Sequence, residues 1–365
     1  MATPDLIIGL MSGTSLDGVD AALVDFSTPT PSVVATAYLA YPADLREHLS
    51  RLHRPGQDDL HQAALLANRL AEIYAKGVHA VLDLAGTQQT AVRAIGCHGQ
   101  TIRHLPQSGY SLQLNNPALL AELTNITVIA DFRSRDIAAG GQGAPLVPAF
   151  HSTCFRDALR HRVILNIGGI ANLTNLPPHG PTSGFDCGPG NMLLDAWAHQ
   201  HLKCNFDEGG RWAATGKILP ELLAKLLAHD FFRLDPPKSC GSEQFNLPWL
   251  TDCLTGNEAP AAVQATLIQL TALSIQQAML NWCGDFEEVY LCGGGVHNTA
   301  LRRSIETLLP QAVVHTTEVL GLPPDWVEAV AFAWLAHRTL TGLPGNQPEV
   351  TGAHGLRILG AIYPA

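Results

Sequence analysis

The same order of elements occurs twice in this chain, and that repetition narrows its fold more than any other feature. Near the start, Asp5 to Leu10 reads as a strand entering a turn of small residues, Met11 to Gly18, and Val19 to Phe26 and Val33 to Ala40 follow as two more strands. Asp59 to Leu84 then has apolar residues at helical spacing, with a bend or break expected at Gly77. Near His151 the pattern restarts. Val163 to Ile167 is a strand, Gly168-Gly169 a turn, Ile170 to Leu176 and Ser183 to Asp186 two further strands, and Met192 to His201 a helix. Two copies of strand, Gly turn, strand, strand, helix predict two similarly built α/β domains with a cleft between them, each offering a hairpin turn to it. The first domain is expected at 1–145 and the second at 146–339, with the tail 340–365 packing back on the first.

A chain of 365 residues exceeds what one hydrophobic core usually covers, which agrees with two domains. With 46% hydrophobic and 15% charged residues it belongs among compact soluble proteins rather than disordered ones. A formal net charge of −10 argues against a nucleic-acid partner. The eight cysteines include no Cys-x-x-Cys pair, which fits a reduced cytosolic protein without a disulfide framework or a zinc site. His199 and His201 read as a solvated helix flank rather than a metal pair, and no metal ligands are assigned. The first residues lack a basic leader and no apolar run reaches membrane-spanning length, so a cytoplasmic location without membrane attachment is expected.

Four stretches carry chemistry-bearing residues. Met11 to Gly18 is long for a hairpin loop and rich in hydroxyls, with Ser12, Thr14 and Ser15 beside Gly13 and Gly18. Such a turn can wrap phosphates with backbone N–H groups, although hairpins without ligands are commoner. Gly184 to Asn191 brings Asp186 to a Gly-rich strand–helix turn, where N–H groups can face an anion. Asp186 fits two roles there, a general base or the N-cap of the helix Met192 to His201. Val92 to Cys97 is a strand ending in His98-Gly99-Gln100-Thr101, at the edge where open α/β sheets bind ligands; a buried structural His is the alternative. Ser111 to Leu114 and Thr127 to Ala130 are further strands. Asp131 to Asp136, with Arg133 and Arg135, followed by Gly140 to Pro145, suits a polyhydroxylated or carboxylated ligand, or else a surface ion-pair cluster.

A competing reading comes from the C-terminal part. Glu288 to Cys292 is a strand, Gly293-Gly294-Gly295-Val296-His297-Asn298 a turn, Thr299 to Leu309 a helix and Val313 to Thr316 a strand, with Glu318 beyond it. That approaches a dinucleotide fingerprint but has Asn298 where the third glycine belongs, so an NAD-dependent enzyme is the alternative. A P-loop fails, because Gly216-Lys217 is followed by Ile218 and Arg211 stands at the first glycine position.

The repeated topology is similar to the actin, Hsp70 and sugar-kinase group, and a non-enzymatic actin-like nucleotide-binding scaffold is a further alternative. A narrower resemblance rests on motifs. Met11-Ser12-Gly13-Thr14-Ser15-Leu16-Asp17-Gly18-Val19-Asp20, His98-Gly99-Gln100-Thr101 and Gly140 to Pro145 resemble the anhydro-N-acetylmuramic acid kinase family. Asn166 to Asn172, Gly188 to Leu193, Gly293 to Gly295, Trp326 to Ala329 and Val350 to Ala353 match in the same order. The resemblance spans essentially the whole chain.

It implies a bacterial cell-wall recycling kinase that opens the 1,6-anhydro bridge of 1,6-anhydro-N-acetylmuramic acid with water and phosphorylates O6 from ATP with Mg²⁺. The family assigns the base to the residue matching Asp186. The resemblance further implies ATP contacts from Ser12, Gly13, Thr14, Ser15, Leu16, Asp17, Gly18 and Val19, and from Gly168, Gly169, Gly188, Gly190 and Asn191. Gly293, Gly294, Gly295 and Asn298 would meet the adenosine. Sugar contacts are expected from His98, Gln100, Thr101, Arg133, Gln142, Gly143, Ala144 and Pro145, with Arg133 on the lactyl carboxylate. Glu328, opening a helix Ala329 to Thr339, would bind sugar or order the base, or else serve as a favourable first-turn acid. A homodimer is also implied. Departures from the family pattern are Cys187 after the key Asp, where Thr is expected, and Cys240-Gly241-Ser242 in place of Thr-Gly-Arg.

Overall fold

The structure, a computed structural model, describes residues 4–28 and 30–365, so the start of the chain, where the lack of a basic leader was read, lies outside it. The chain divides into two compact units, Met1–Cys154 with Trp326–Ala365, and Phe155–Asp325.

In the first unit, β1 (Leu6–Ser12) pairs antiparallel with β2 (Gly18–Asp25), and β2 antiparallel with β3 (Ser32–Ala40). On its other side β1 runs parallel to β4 (Val92–Leu105), which carries β5 (Tyr110–Leu114) as a hairpin partner and β6 (Val128–Ala130) in parallel. The C-terminal strand Ala361–Tyr363 closes the edge against β6. All seven residues of β1 are buried, as expected for a central strand covered on both faces.

The covers can be read from successive residues, which point to opposite faces of a strand. Leu10 faces the helix Asp59–Ala85, where Gly77 lies against Ala21, Leu39 and Leu10. That helix runs 27 residues without a break, contrary to the expectation at Gly77. One glycine costs a helix about 1 kcal/mol relative to alanine, too little to interrupt a segment that buries Leu66, Leu70, Tyr74, Val78 and Val81 along one side. It ends at Gly86, φ 61°, with the N–H groups of Gly86 and Thr87 returning to the carbonyls of Asp83 and Leu82.

Gly9 faces the other cover, the helix Val327–Leu340. Gly9 and Gly96 are register partners on β1 and β4, and a Cβ on either would collide with the carbonyl oxygen of Ala329 or Phe332. Two neighbouring glycines thus let the helix lie on the sheet at backbone distance. This helix therefore belongs to the first unit and not to the second domain expected at 146–339, and β4 does not end at Cys97 but continues through His98–Thr101 to Leu105.

The second unit repeats the plan. β7 (Arg162–Ile167), β8 (Ile170–Leu176) and β9 (Ser183–Pro189) form an antiparallel meander, and β10 (Glu288–Cys292) and β11 (Val313–Thr316) extend it in parallel. The order β11-β10-β7-β8-β9 reproduces β6-β4-β1-β2-β3 strand for strand. Its core joins Val163, Leu165 and Leu173 with Leu267, Ile275 and Met279 of the long helix Pro260–Trp282. Among the described residues no helix is long and apolar enough to cross a membrane.

Candidate active site

The first turn, Gly13 to Asp17, joins β1 to β2, and Gly18 and Val19 already belong to β2, with Val19 wholly buried. Of the three hydroxyls read as donors, Ser12 turns inward. Its Oγ donates to the Tyr74 hydroxyl at 3.0 Å and accepts from that of Tyr41 at 2.7 Å. Ser15 Oγ donates to Asp17 Oδ1 at 2.6 Å. Leu16 takes φ 57° and buries its side chain in the core, which pins the turn. Among the described residues, the N–H groups of Gly13, Thr14 and Ser15 have no hydrogen-bond acceptor, and Thr14 and Ser15 are exposed. That is the chemistry of an anion site.

β4 supports this turn from behind. Gln100 Nε2 donates to the Gly13 carbonyl at 2.9 Å, and His98 Nδ1–H donates to the Ser12 carbonyl at 3.2 Å. Arg133 Nη2 donates to His98 Nε2 at 2.9 Å, so the imidazole is neutral; burial and the guanidinium push it down to about 3. Arg133 Nη1 donates to the Gly143 carbonyl at 2.7 Å. Burial pulls Arg133 down to about 10, while Glu328 and Asp136 act in the opposite sense. Glu328, in the first turn of Val327–Leu340, is raised by burial and partly restored by Arg133. Thr101 Oγ1 accepts from Gln113 Nε2 at 3.1 Å. Arg133 Nε and Gln100 Oε1 are buried without a hydrogen bond.

Asp136 has a role that the sequence did not disclose. Wholly buried, it accepts from Gly143 N–H, Asn346 Nδ2 and Thr351 Oγ1, each at 2.8 Å. It therefore fastens the Gly140–Pro145 loop to the C-terminal tail rather than facing a ligand. Gln142 N–H adds a bond to the Thr351 carbonyl at 2.8 Å, while the Gln142 and Pro145 side chains stay exposed and Ala144 is partly buried. Asn346 and Thr351 lie 210 and 215 residues away in sequence, beyond any local signal.

In the second unit, β9 continues to Pro189, so Asp186 lies inside a strand and cannot cap Met192–Leu202, whose N-cap position is Asn191. Asp186 is instead clamped by the loop at Lys238–Cys240. Its N–H donates to the Lys238 carbonyl at 3.2 Å, and its Oδ2 accepts the Cys240 N–H at 3.0 Å. Burial raises the carboxyl to about 6; the Cys240 N–H opposes this and Glu243 adds to it. Cys187 is buried in the core beside it, and Cys240 holds the Asp186 carboxylate through its backbone N–H, so both departures from the family pattern fall around Asp186.

The anion nest expected at Gly188–Asn191 is largely absent. Gly190 and Met192 N–H donate to the Gly169 carbonyl at 2.9 and 3.1 Å, and Asn191 N–H to that of Gly168 at 2.8 Å. These groups are spent on latching the second turn to the helix. Gly169 N–H is left without an acceptor among the described residues. In the third glycine turn, Gly293 takes φ 78°, Gly294 is exposed with open space where a Cβ would stand, and Gly295 packs on Ile167. Asn298 Oδ1 accepts Leu301 N–H at 3.1 Å, which makes it the N-cap of Thr299–Leu308.

Two sheets of one strand order, each with a glycine turn between its first two strands, define the fold class of actin, Hsp70 and the sugar kinases. The anhydro-N-acetylmuramic acid kinase family matches residues 5–365. The anhydro-N-acetylmuramic acid kinase of Nitrosospira multiformis is 56% identical over 360 residues, covering 98% of each chain. That of Thiobacillus denitrificans is 55% identical over 362 residues, covering 98% of this chain and 97% of the other. Among solved structures, the activator of the 2-hydroxyisocaproyl-CoA dehydratase from Clostridium difficile covers 93% of this chain and 98% of its own, at 11% identity and a TM-score of 0.48. The chain belongs to the anhydro-N-acetylmuramic acid kinase family. The dinucleotide and scaffold alternatives fall with that membership.

Proposed function

We propose that Asp186 is the general base of this kinase's ATP-dependent reaction, the conversion of 1,6-anhydro-N-acetylmuramic acid to N-acetylmuramic acid 6-phosphate in cell-wall recycling. The observation that carries this reading is a partly buried carboxyl that accepts one backbone hydrogen bond, from Cys240, on a residue whose own N–H is fixed to the Lys238 carbonyl, and that is raised to about 6. A base works best with its pKa near the operating pH. Asp186 takes a proton from water as the water oxygen bonds to the anomeric carbon and the bond from that carbon to O6 breaks. O6 then bonds to the γ-phosphorus and ADP leaves, so one proton transfer serves both bond changes.

Phosphoryl transfer needs mainly positioning and charge neutralisation. The unspent N–H groups of Gly13, Thr14 and Ser15 support a phosphate role for the first turn, and the open Gly294 supports an adenosine role for the third. Mg²⁺ fits this setting. Asp17, exposed in the first turn, is the carboxylate that would hold the ion beside the phosphates. Bound there, it would neutralise phosphate charge. Arg133, with its unpartnered Nε, is assigned to the lactyl carboxylate, and Glu328 to the sugar beside it. A cytoplasmic homodimer is the assembly that the family resemblance suggests, and sedimentation would test it.

The decisive experiment measures ADP release with and without the anhydro-sugar, in ¹⁸O-labelled water. ATP consumption should require the sugar, and the label should appear on the anomeric carbon and not in the transferred phosphate. Equal rates without sugar would overturn the reading.

A further inference from the structure

A depression of about 390 Å³ opens beside the first turn, lined by Ser15, Leu16, Ala43, Arg46, Glu47 and Ser50. It forms because β3 delivers the chain back to the turn. Ala40 pairs with Gly18, Tyr41 N–H donates to the Asp17 carbonyl at 2.8 Å, and the helix Ala43–Arg51 starts directly after. Along that helix the charged neighbours are already paired, Glu47 with Arg51 and Asp44 with Arg69. The Arg46 side chain has no ion pair or hydrogen bond among the described residues and is the one cation in the lining. Tyr38, raised by its burial and by Asp17 and Asp20 and lowered by Arg46, lies among all three charges.

We propose that Arg46 binds the β- and γ-phosphates of ATP in this depression, together with the N–H groups of Gly13, Thr14 and Ser15. The proposal rests on the phosphate role of the first turn. Backbone N–H groups supply dipoles but no net charge, and no P-loop lysine is present to supply it. Asp20, and Asp17 wherever Mg²⁺ does not neutralise it, would repel a phosphate, and Arg46 offsets part of that repulsion. Its guanidinium is free to make the bidentate contact that phosphate geometry favours.

The test titrates ATP, ADP and AMP, with Mg²⁺ and without sugar, into the wild type, Arg46→Gln and Arg46→Lys. Arg46→Gln should weaken ATP and ADP about tenfold, the scale of one charge-assisted hydrogen bond at an accessible site. AMP affinity, the sugar KM and the melting temperature should stay at wild-type values, and Arg46→Lys should recover part of the loss. Unchanged ATP affinity in Arg46→Gln, or equal weakening of all three nucleotides, overturns the assignment. A wild type without sugar-dependent ATP turnover would instead undo the kinase site itself, so the two failures are distinguishable.

Discussion

The two hairpin turns occupy the same place in sheets of the same strand order, yet they spend their backbone differently. Gly13 to Asp17 leaves three successive N–H groups without acceptors and is braced from behind by His98 and Gln100. Gly168-Gly169 gives its carbonyls to Gly190, Asn191 and Met192, and so becomes a latch that fixes where β9 ends and the next helix starts. A repeated topology therefore does not repeat a function. The first turn keeps its donors free, as the proposed phosphate role needs, whereas the second ties down the strand of Asp186, as the proposed base would need if its geometry is to persist through the reaction.

The largest effect should come from the base on the latched side. Asp186→Asn should lower kcat by at least ~10²-fold, the range for loss of a general base, with ATP binding retained. For the wild type, kcat should fall as the pH drops through about 6, because the carboxylate is then protonated. Stability should move the other way. Folding raises this carboxyl from 3.8 to about 6, so the native state binds the proton more tightly than the unfolded chain does. Above pH 6 the mismatch costs the wild type up to ~3 kcal/mol, and the cost fades as the pH falls to the unfolded value. Asp186→Asn should thus melt higher than wild type at pH 8 and lose that advantage in acid; a lower melting point at pH 8 would show that the charged form is stabilised instead.

Next in size is the latch. A Cβ on Gly190 would collide with the Gly168 carbonyl oxygen and stand 3.1 Å from the Ala171 nitrogen. Gly190→Ala should cost ~1–3 kcal/mol in denaturant unfolding, as overpacking does. Ser12→Ala should cost about 1–2 kcal/mol, since it strips the Tyr41 and Tyr74 hydroxyls of their shared partner. The smallest stability change belongs to Gly13→Ala, where the nearest atom to a Cβ is Ser15 Oγ at 3.5 Å. It should stay within ~0.5 kcal/mol of wild type while raising the KM for ATP. If Gly13→Ala melts as early as Gly190→Ala, the contrast between open turn and latch is wrong.

Local pattern alone determined much of the second unit. Glu288–Cys292, Val313–Thr316 and Ile170–Leu176 occur with the bounds expected from their sequence, because apolar alternation and glycine punctuation act over a few residues. The duplicated strand order was legible for the same reason, and the motifs carried the family. The tertiary structure decided what those side chains do. Asp186 ceased to be a cap because β9 runs past it, and its partner Cys240 lies 54 residues on. Ser12 was lost to two tyrosines, Asp136 to the C-terminal tail, and the helix Val327–Leu340 to a sheet laid down at the start of the chain. Each outcome depends on groups brought together only by folding, and a donor's choice among distant acceptors leaves no mark on the spacing of residues along the chain.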